Sequence, residues 1–433
     1  IRRPPRSTPK PSSAASDVYK RQPIRRRKIK VFNLKDLYWI RKSLEEVQQK
    51  TKPPVENIKA GIGEVLAKAL EGKKINVEEA YQLIHADFQY LPVLMATANF
   101  LKFKKKKEKI SFSKKVFIPL TNLCRNSCKY CGFRVDPPNK NAGFLSPEKV
   151  LEIAKQGKKA GCNEALFTLG EKPEEKYEEA KIQLKKLGYK TTIEYLQDMC
   201  EIVFLKTGLL PHSNPGVLNM DELGGLREVN ISLGLMLENI SDRLCGKGGP
   251  HEFSPGKNPK LRLETIEYAG RLRIAFTTGI LLGIGETLKE VVDSFNVLRK
   301  IHEKYGHLQE IIIQPFMAKK GTPMEKHPEP SWFTLLKTVA VARIFFGVEM
   351  NIQVPPNLTK PILDILPYAG INDWGGVSPV TLDYINPEKP WPKIYELKQV
   401  TQNCGFILKQ RLPCLLYTSD AADEGLGVDL GGR

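Results

Sequence analysis

The sequence has no uninterrupted apolar run long enough to cross a lipid bilayer, and its mean hydropathy is slightly polar at -0.31. A transmembrane helix needs about 20 consecutive apolar residues, so we expect no membrane partner. The chain also lacks the spacing of a disulfide framework, because five of its eight cysteines stand alone. Isolated thiols are typical of a reducing compartment, which predicts a cytoplasmic protein.

Acidic residues are too few to balance the basic ones: 67 Lys and Arg face 48 Asp and Glu, for a formal net charge of +19. Such an excess can indicate nucleic-acid binding. However, the basic runs at residues 25–30 and 102–109 lack interleaved aromatic residues, and no recognised binding module surrounds them. We therefore expect a solvated basic surface and no nucleic-acid partner. A metal-bearing nucleic-acid-binding protein is the remote alternative.

Both ends of the chain lack helical or strand periodicity. Codons for residues 414–419, read in the reverse complement and shifted by one base, also encode residues 17–22. The two ends therefore resemble translated inverted copies of a transposon-type sequencing adapter. We interpret residues 1–22 and 414–433 as adapter-derived tails and exclude them from reasoning about the fold.

The intervening chain begins with a helical part. Residues 23–110 carry apolar residues at helical spacing, with Asn76 as a predicted N-cap, and we expect an N-terminal helical extension. Residues 111–392 then alternate short β-rich runs with amphipathic helical runs, which is typical of parallel β/α units. The predicted strands are residues 116–120, 164–168, 208–211, 228–235, 274–282, 310–314 and 351–354.

This many β/α units favour closure into one TIM-type α/β barrel. The active site of such a barrel lies at the carboxyl-terminal ends of its strands. Polar and glycine-rich residues follow several of the predicted strands. Residues 393–413 are expected to form a C-terminal cover over one face.

Three closely spaced cysteines, Cys124, Cys128 and Cys131, follow the first predicted strand. A closed zinc site and an ordinary 4Fe–4S cluster each take four protein ligands, and no fourth cysteine lies nearby. The CxxxCxxC triplet therefore indicates a cluster with one iron left open to a small molecule. Tyr130 and Phe133 are expected to shield it. The alternative is a zinc knuckle with a distant ligand, or three free thiols.

Two further strand ends carry candidate binding residues. Gly170 and Glu171 end the second strand, where the carboxylate can hold an ammonium group; a simple helix-dipole partner is the alternative. On the fourth strand, Ser232 and Glu238 share one face by the period of two. Glu238 with Arg243 is expected to grip ribose hydroxyls and a carboxylate, unless this face merely fills the barrel.

A glycine-rich segment at residues 279–286 ends the fifth strand. Its glycines, including Gly283, let the backbone approach a flat ring, and Ile284 offers apolar contact. The segment lacks the GK[ST] of a P-loop and the spacing of a dinucleotide fingerprint.

Four other residues are candidates for catalysis or substrate binding. His212 and Asn214 end the third strand, and Asp373 and Trp374 lie in a late glycine-rich loop. A histidine at a barrel mouth can act as a general acid or base, and a loop tryptophan can stack on a planar substrate. A turn-forming role is the alternative for each of them.

Together these motifs resemble the radical S-adenosylmethionine (SAM) superfamily and, more narrowly, the CofG-type subunit of 7,8-didemethyl-8-hydroxy-5-deazariboflavin (FO) synthase. The resemblance rests on FIPLTNLCRNSCKYCGFR, FTLGEKPE, LLPHSNPG and GINDWGGVSPVT, and it covers about residues 111–392. It departs from the family at residues 314–316, where QPF stands in place of an expected Gln-Asn-Phe.

The resemblance implies a radical SAM barrel holding a 4Fe–4S cluster on the three cysteines, with SAM on the fourth iron. The implied cofactor-binding residues are Tyr130, Gly170, Glu171, Ser232, Glu238, Arg243, Gly283 and Ile284. The implied reaction converts an adduct of tyrosine origin and a ribityl-aminouracil to FO with loss of ammonia, as a carbon–nitrogen lyase. Implied partners are a CofH-type synthase that makes the adduct and a reductant protein. A CofH-type enzyme acting on tyrosine, or another radical SAM enzyme, is the alternative.

Overall fold

The structure is a computed structural model that describes Val55 and residues 61–415. Its helices in this part are α1 Ile62–Leu70, α2 Val77–Ile84, α3 Leu91–Lys106, α4 Pro147–Lys159, α5 Glu178–Leu187, α6 Thr192–Thr207, α7 Met220–Val229, α8 Pro259–Arg271, α9 Leu288–Tyr305, α10 Trp332–Phe346 and α11 Ile394–Asn403. Its strands are β1 Lys109–Thr121, β2 Glu164–Leu169, β3 Leu210–Asn214, β4 Ser232–Gly234, β5 Phe276–Leu282, β6 Leu308–Pro315, β7 Ile352–Gln353, β8 Asp373–Val377 and β9 Ile407–Gln410.

Strands β1 to β8 close into a parallel barrel. Each strand pairs with the next along the chain, and β1 pairs with both β2 and β8. Strand β9 adds to the amino-terminal half of β1, also in parallel. The predicted TIM-type α/β barrel is confirmed. Within residues 61–415 every helix is too short or too polar to cross a membrane.

The side chains of β1 show how the sequence orients a barrel strand. Val116 and Ile118 are fully buried in the main apolar core, whereas Lys115 and Phe117 line the barrel interior. This alternation follows the strand period of two. Helix α4 packs on the outside of β1 at Gly157, where a Cβ would lie 2.6 Å from Val116 Cβ. The glycine therefore sets how closely α4 approaches the sheet.

The described part of the predicted helical extension is confirmed as helices α1 to α3, which share the apolar core of the barrel. The predicted N-cap is also confirmed: Asn76 accepts from Glu79 N at 2.8 Å. Some lysines of the basic run at residues 102–109 take part in this packing. Lys102 Nζ, for example, donates to the Pro367 carbonyl at 2.7 Å and is fully buried. The other basic run, residues 25–30, lies outside the described residues.

Three strand predictions need correction. In the predicted strand at 228–235, the first two residues end helix α7 and only Ser232–Gly234 is strand. Strand β3 runs later than the predicted 208–211, so His212 and Asn214 lie within it. The late loop that carries Asp373 is strand β8, which closes the barrel. Asp and Gly are depleted in strands, and pairing with both neighbours overrides that propensity here.

The amino-terminal end of the barrel, which we call the floor, is closed by the segment that follows β9. Arg411 lies among the first residues of the barrel strands and pairs with Asp373 and Glu310. Leu415 N donates to Gln309 Oε1 at 2.8 Å, and Cys414 is buried. The first two residues of the predicted C-terminal tail thus lie at the floor. The predicted tail at 1–22 and residues 416–433 lie outside the described residues.

Candidate active site

A cavity of about 360 Å³ runs through the barrel from the floor to the carboxyl-terminal mouth, and all eight barrel strands contribute to its lining. The mouth is where TIM-type barrels place their active sites. The predicted site residues that line the cavity are Cys124, Cys128, Tyr130, Cys131, Gly170, Glu171, His212, Asn214, Glu238 and Trp374. The predicted site residues outside its lining are Ser232, Arg243, Gly283, Ile284 and Asp373.

The three cysteines lie on residues 122–134, which we call the cysteine loop. Two backbone hydrogen bonds fix this loop to the segment after β4. Ser127 N donates to the Phe253 carbonyl and Lys129 N to the Pro250 carbonyl, each at 2.9 Å. These two contacts give the loop a defined path across the segment after β4.

Gly170 lies where β2 meets the cysteine loop, and this contact requires a glycine. A Cβ at Gly170 would lie 1.8 Å from the Leu123 carbonyl oxygen and 2.8 Å from Cys124 Cβ. The next backbone N–H, that of Glu171, donates to Cys124 Sγ at 3.2 Å. Gly170 thus positions a thiol through the close approach of two backbones.

The three thiols are soft ligands of the kind that iron–sulfur clusters take. All three line one cavity, yet among residues 61–415 no three His, Cys, Asp or Glu side chains converge on a point that one ion could occupy. A cluster takes its ligands on separate irons. Burial raises the pKa of Cys124 to about 12, and coordination to a metal would remove that proton.

The other five cysteines do not line the cavity. Cys245 Sγ donates to the Lys257 carbonyl at 3.5 Å, and Cys404 Sγ donates to the Asp364 carbonyl at 3.2 Å. Cys200 Sγ lies 3.4 Å from Ser213 Oγ. The remaining two, Cys162 and Cys414, are buried away from the cysteine loop. Residues 61–415 therefore offer three cysteine ligands here and no fourth.

Glu171 lines the cavity with its carboxylate already paired. Arg125 Nε, from the cysteine loop, donates to Glu171 Oε1 at 2.9 Å. The carboxylate packs against Gly216 and Gly256, where a Cβ would lie 2.3 Å and 1.8 Å from its oxygens. A ligand ammonium group would share this carboxylate with Arg125.

Glu238 lies in the cavity wall with two cations, neither of which is Arg243. Its carboxylate contacts Lys257 Nζ closely and lies 3.5 Å from Arg262 Nη2. Burial opposes ionisation, but the two cations lower the pKa of Glu238 below its usual value. Glu238 also has φ of 64°, the left-handed region that a non-glycine residue rarely adopts. Packing therefore holds an ionised carboxylate at this wall.

Arg243 is on the outer surface instead. Its side chain is 55 % exposed and pairs with Glu290 at 2.7 Å. The expected Glu238–Arg243 grip is therefore not formed. Lys257 and Arg262 line the cavity instead. No short sequence motif distinguishes these two residues from the other basic residues of the chain.

The glycine-rich turn after β5 is closed by its own acid. Glu286 accepts from Gly283 N at 2.6 Å and from Ile284 N at 2.8 Å. Ile284 packs in a small apolar cluster that Tyr130 borders. Gln314 at the end of β6 lines the cavity, whereas Pro315 does not. The proline that departs from the family pattern thus lies outside the cavity lining.

His212 lies inside the barrel. Its Nδ1 is 2.6 Å from Ser232 Oγ, and its Nε2 is 3.1 Å from the Asn214 side-chain amide. Gly234 leaves room for this pair, since a Cβ there would lie 2.2 Å from the amide of Asn214. Burial lowers the pKa of His212 to about 4. The imidazole is therefore neutral at pH 7 and exchanges hydrogen bonds within the barrel.

The structure corrects the placement of Asp373 and Trp374 in a late glycine-rich loop. Asp373 begins β8 at the floor, where its Oδ2 accepts from Arg411 Nε at 2.6 Å. Trp374 borders the cavity, but it is fully buried and its indole N–H donates to Thr401 Oγ1 on α11 at 3.2 Å. Because both residues start a strand, they lie at the end of the barrel opposite the cysteines.

Comparison with known proteins agrees with this geometry. Residues 118–298 match the family model of the radical SAM superfamily. The 7,8-didemethyl-8-hydroxy-5-deazariboflavin (FO) synthase of Methanopyrus kandleri is 54 % identical over 304 residues, which cover 70 % of this chain and 91 % of the relative. The chain belongs to the FO synthase family. The FO synthase of Methanocaldococcus jannaschii is 52 % identical over 321 residues, covering 74 % of this chain and 87 % of that one.

A more distant likeness supports the fold of this FO synthase family member. The FeFe-hydrogenase maturase HydG from Carboxydothermus hydrogenoformans superposes with a TM-score of 0.67 at 19 % identity, over 89 % of this chain and 86 % of that chain. At this identity the likeness shows a shared barrel and no more. Membership in the radical SAM superfamily itself implies a 4Fe–4S cluster and SAM as cofactors.

Proposed function

We propose that the protein is a CofG-type FO synthase, which converts the adduct of tyrosine origin and a ribityl-aminouracil to FO with release of ammonia. The observation that carries the proposal is the cysteine loop. Three thiols from one loop line a closed barrel cavity that no other cysteine of the chain lines. These three cysteines are the donor set that would hold a 4Fe–4S cluster and leave it open to SAM. The partners are a CofH-type synthase that makes the adduct and a reductant protein.

In this proposal Cys124, Cys128 and Cys131 hold the 4Fe–4S cluster. When bound there, the cluster and SAM would supply the radical chemistry of the reaction. The chain's own residues bind and orient both molecules. The barrel walls and the helices around them exclude water, which protects the reactive species.

We assign the polar groups of SAM to two sites in the cavity wall. Glu171 is placed to accept from an ammonium group, beside the thiol that its own N–H contacts. Lys257 and Arg262, together with Glu238, take the place expected for Arg243: the cations suit a carboxylate and Glu238 suits hydroxyl groups. We also assign Gly283 and Ile284 to contact with the flat ring of SAM. Both residues lie on the turn that is closed by hydrogen bonds to Glu286.

We assign His212 and Asn214 to substrate binding. A neutral imidazole between Ser232 and Asn214 can accept or donate one hydrogen bond without carrying charge. We infer no base for the reaction from Asp373 or Trp374, whose polar atoms are engaged by Arg411 and Thr401.

Feeding experiments test the proposal. The protein, reconstituted anaerobically with iron and sulfide and supplied with SAM, a reductant and the adduct, is expected to release FO and ammonia, both measured directly. The same mixture without reductant is the control. Consumption of free tyrosine with the ribityl-aminouracil, and no conversion of the adduct, would replace the assignment with that of a CofH-type synthase.

A further inference from the structure

Asn214, the last residue of β3, is an exposed polar side chain inside the barrel. It lines the cavity, and β3 is paired with β2 on one side and β4 on the other, so the exposed part of the side chain faces the cavity. His212 shares this face by the strand period of two, but it is only 4 % exposed. Of the two residues, Asn214 is therefore the one that a ligand can reach.

The amide of Asn214 has one orientation that its surroundings allow. The amide atom that lies 3.1 Å from His212 Nε2 also lies 3.2 Å from the Gly234 carbonyl oxygen and 3.3 Å from the Ser213 carbonyl oxygen. Carbonyl oxygens only accept, so this atom is the nitrogen, which donates to them. Oδ1 is then the other amide atom, and it has no hydrogen-bond donor among the described residues. The exposed side chain therefore offers a ligand a fixed acceptor.

The same contact defines the tautomer of His212. Because Nε2 accepts from Asn214, the proton of the neutral imidazole is on Nδ1, which donates to Ser232 Oγ at 2.6 Å. Ser232 Oγ in turn donates to the Pro413 carbonyl at 3.3 Å. The reverse tautomer would turn Asn214 Oδ1 toward two carbonyl oxygens. These hydrogen bonds therefore run in one direction and hold the Asn214 amide from the floor side of the barrel.

The strand neighbour of Asn214 on β2 is also neutral and polar. Thr168 is in register with Asn214, lines the cavity and is half-buried. Its Oγ1 makes no hydrogen bond to another described residue. An amide oxygen beside a hydroxyl suits a neutral O–H or N–H group, whereas an ammonium group is better served by the carboxylates of Glu171 and Glu238 elsewhere in the cavity. This part of the cavity therefore suits a neutral donor.

We propose that Asn214 Oδ1 is a specificity-determining acceptor for a neutral O–H or N–H group of the substrate, and that His212 is the positioning residue that holds it. Resting on the proposed function, the donor belongs to the ribityl-aminouracil part of the adduct and is a ribityl hydroxyl or an N–H of the aminouracil ring. Thr168 Oγ1 contacts the same part. A site that hydrogen-bonds such a group strongly rejects analogues that lack it.

Calorimetric binding to the cluster-loaded protein tests the acceptor. The probes are a ribityl-aminouracil, its analogue with a pentyl chain in place of the ribityl chain, and SAM. We expect Asn214→Ala, which removes Oδ1, to bind the ribityl-aminouracil about tenfold more weakly, equal to about 1.4 kcal/mol, with SAM affinity unchanged. Asn403→Ala, at an exposed site on α11 outside the cavity lining, is the matched control and should bind all three probes like wild type.

The pentyl analogue identifies the donor. If the donor is a ribityl hydroxyl, Asn214→Ala loses affinity for the parent ligand only; if it is a ring N–H, the variant loses affinity for both ligands. Either result supports the acceptor. Unchanged affinity of Asn214→Ala for the ribityl-aminouracil, no binding of that probe by wild type, or an equal loss of SAM affinity would overturn it.

Two substitutions of His212 test the positioning role. His212→Gln places an amide oxygen near the position of Nε2 and can still accept from Asn214, whereas His212→Leu cannot. We expect His212→Leu to weaken binding of the ribityl-aminouracil by up to about tenfold and His212→Gln to restore most of the affinity. Added to Asn214→Ala, His212→Leu should cause no further loss, because both act through one amide. Equal losses in the two His212 variants, or additive losses in the double variant, would reject the positioning role.

Formation of FO separates this inference from the proposed function. Wild type that forms FO from the adduct, while Asn214→Ala binds the ribityl-aminouracil normally, rejects the acceptor but keeps the proposed function. Wild type that forms no FO from the adduct rejects the proposed function.

Discussion

The floor and the mouth of the barrel both pair their buried charges, but the mouth also carries the three thiols of the cysteine loop. At the floor the charges are paired: Lys115 lies 2.7 Å from Glu164, and Arg411 lies 2.6 Å from Asp373 and 3.1 Å from Glu310. All five side chains are at most 8 % exposed. Buried charges need partners of this kind, because an unpaired one is far more costly than a pair.

At the mouth, Glu171 is paired with Arg125, and Glu238 with Lys257 and Arg262. Cys124, Cys128 and Cys131 line the cavity beside these pairs. The mouth therefore differs from the floor by its group of three thiols. We infer that the floor stabilises the fold and that the mouth binds ligands, in agreement with the general division of labour in TIM-type barrels.

The largest effect is expected at the mouth, from Cys128→Ala. Removing one of three ligands should abolish cluster loading and reductive SAM cleavage, while the thermal stability of the cluster-free protein changes little. Iron and sulfide content, absorbance and SAM cleavage measure the outcome. Cys245→Ala, outside the cavity lining, is the control and should retain all three. SAM cleavage by Cys128→Ala would reject the assignment of the ligands.

At the floor, Arg411→Met should act on stability. The substitution leaves Asp373 and Glu310 buried without their cation, which we expect to cost about 3–5 kcal/mol of unfolding free energy. Urea denaturation of the cluster-free protein measures it. A loss below about 1 kcal/mol would show that the floor is not a stabilising network.

The pH dependence of stability tests whether His212, which lies between the floor and the mouth, is held neutral by burial. Burial lowers its pKa from 6.5 to about 4 in the folded protein. Between pH 6.5 and 4, His212 is therefore protonated in the unfolded chain but neutral in the folded protein. The free energy of unfolding falls as the pH falls through this range. The full effect is on the order of 3 kcal/mol. His212→Gln should flatten this part of the profile, and His85→Gln, at an exposed site, should leave it unchanged.

The smallest effect is expected from Arg243→Ala. This arginine pairs with Glu290 at the surface, and exposed pairs contribute up to about 1 kcal/mol. Neither cluster loading nor SAM affinity should change, whereas Arg262→Ala should weaken SAM binding. A marked loss of SAM affinity in Arg243→Ala would favour the contact expected from the sequence over the one we assign to Arg262.

The comparison also shows which parts of the site were open to prediction. The cysteine spacing and the position of the loop after a strand depend on residues close together in the chain. The partners of Glu238 do not: Lys257 and Arg262 stand 19 and 24 residues away, and a nearer arginine, Arg243, turns outward. Sequence spacing alone cannot decide which of several cations a buried carboxylate will meet.

By itself, the sequence determined the family, the alternation of strands and helices, and the three-cysteine loop, because each is encoded in a local pattern. Only the tertiary structure decided that a segment rich in Gly and Asp forms strand β8, since pairing with its neighbours supplies what its propensity lacks. It also brought Arg411 to Glu310, 101 residues earlier in the chain. Contacts at that separation arise from barrel closure, and no local period of the sequence records them.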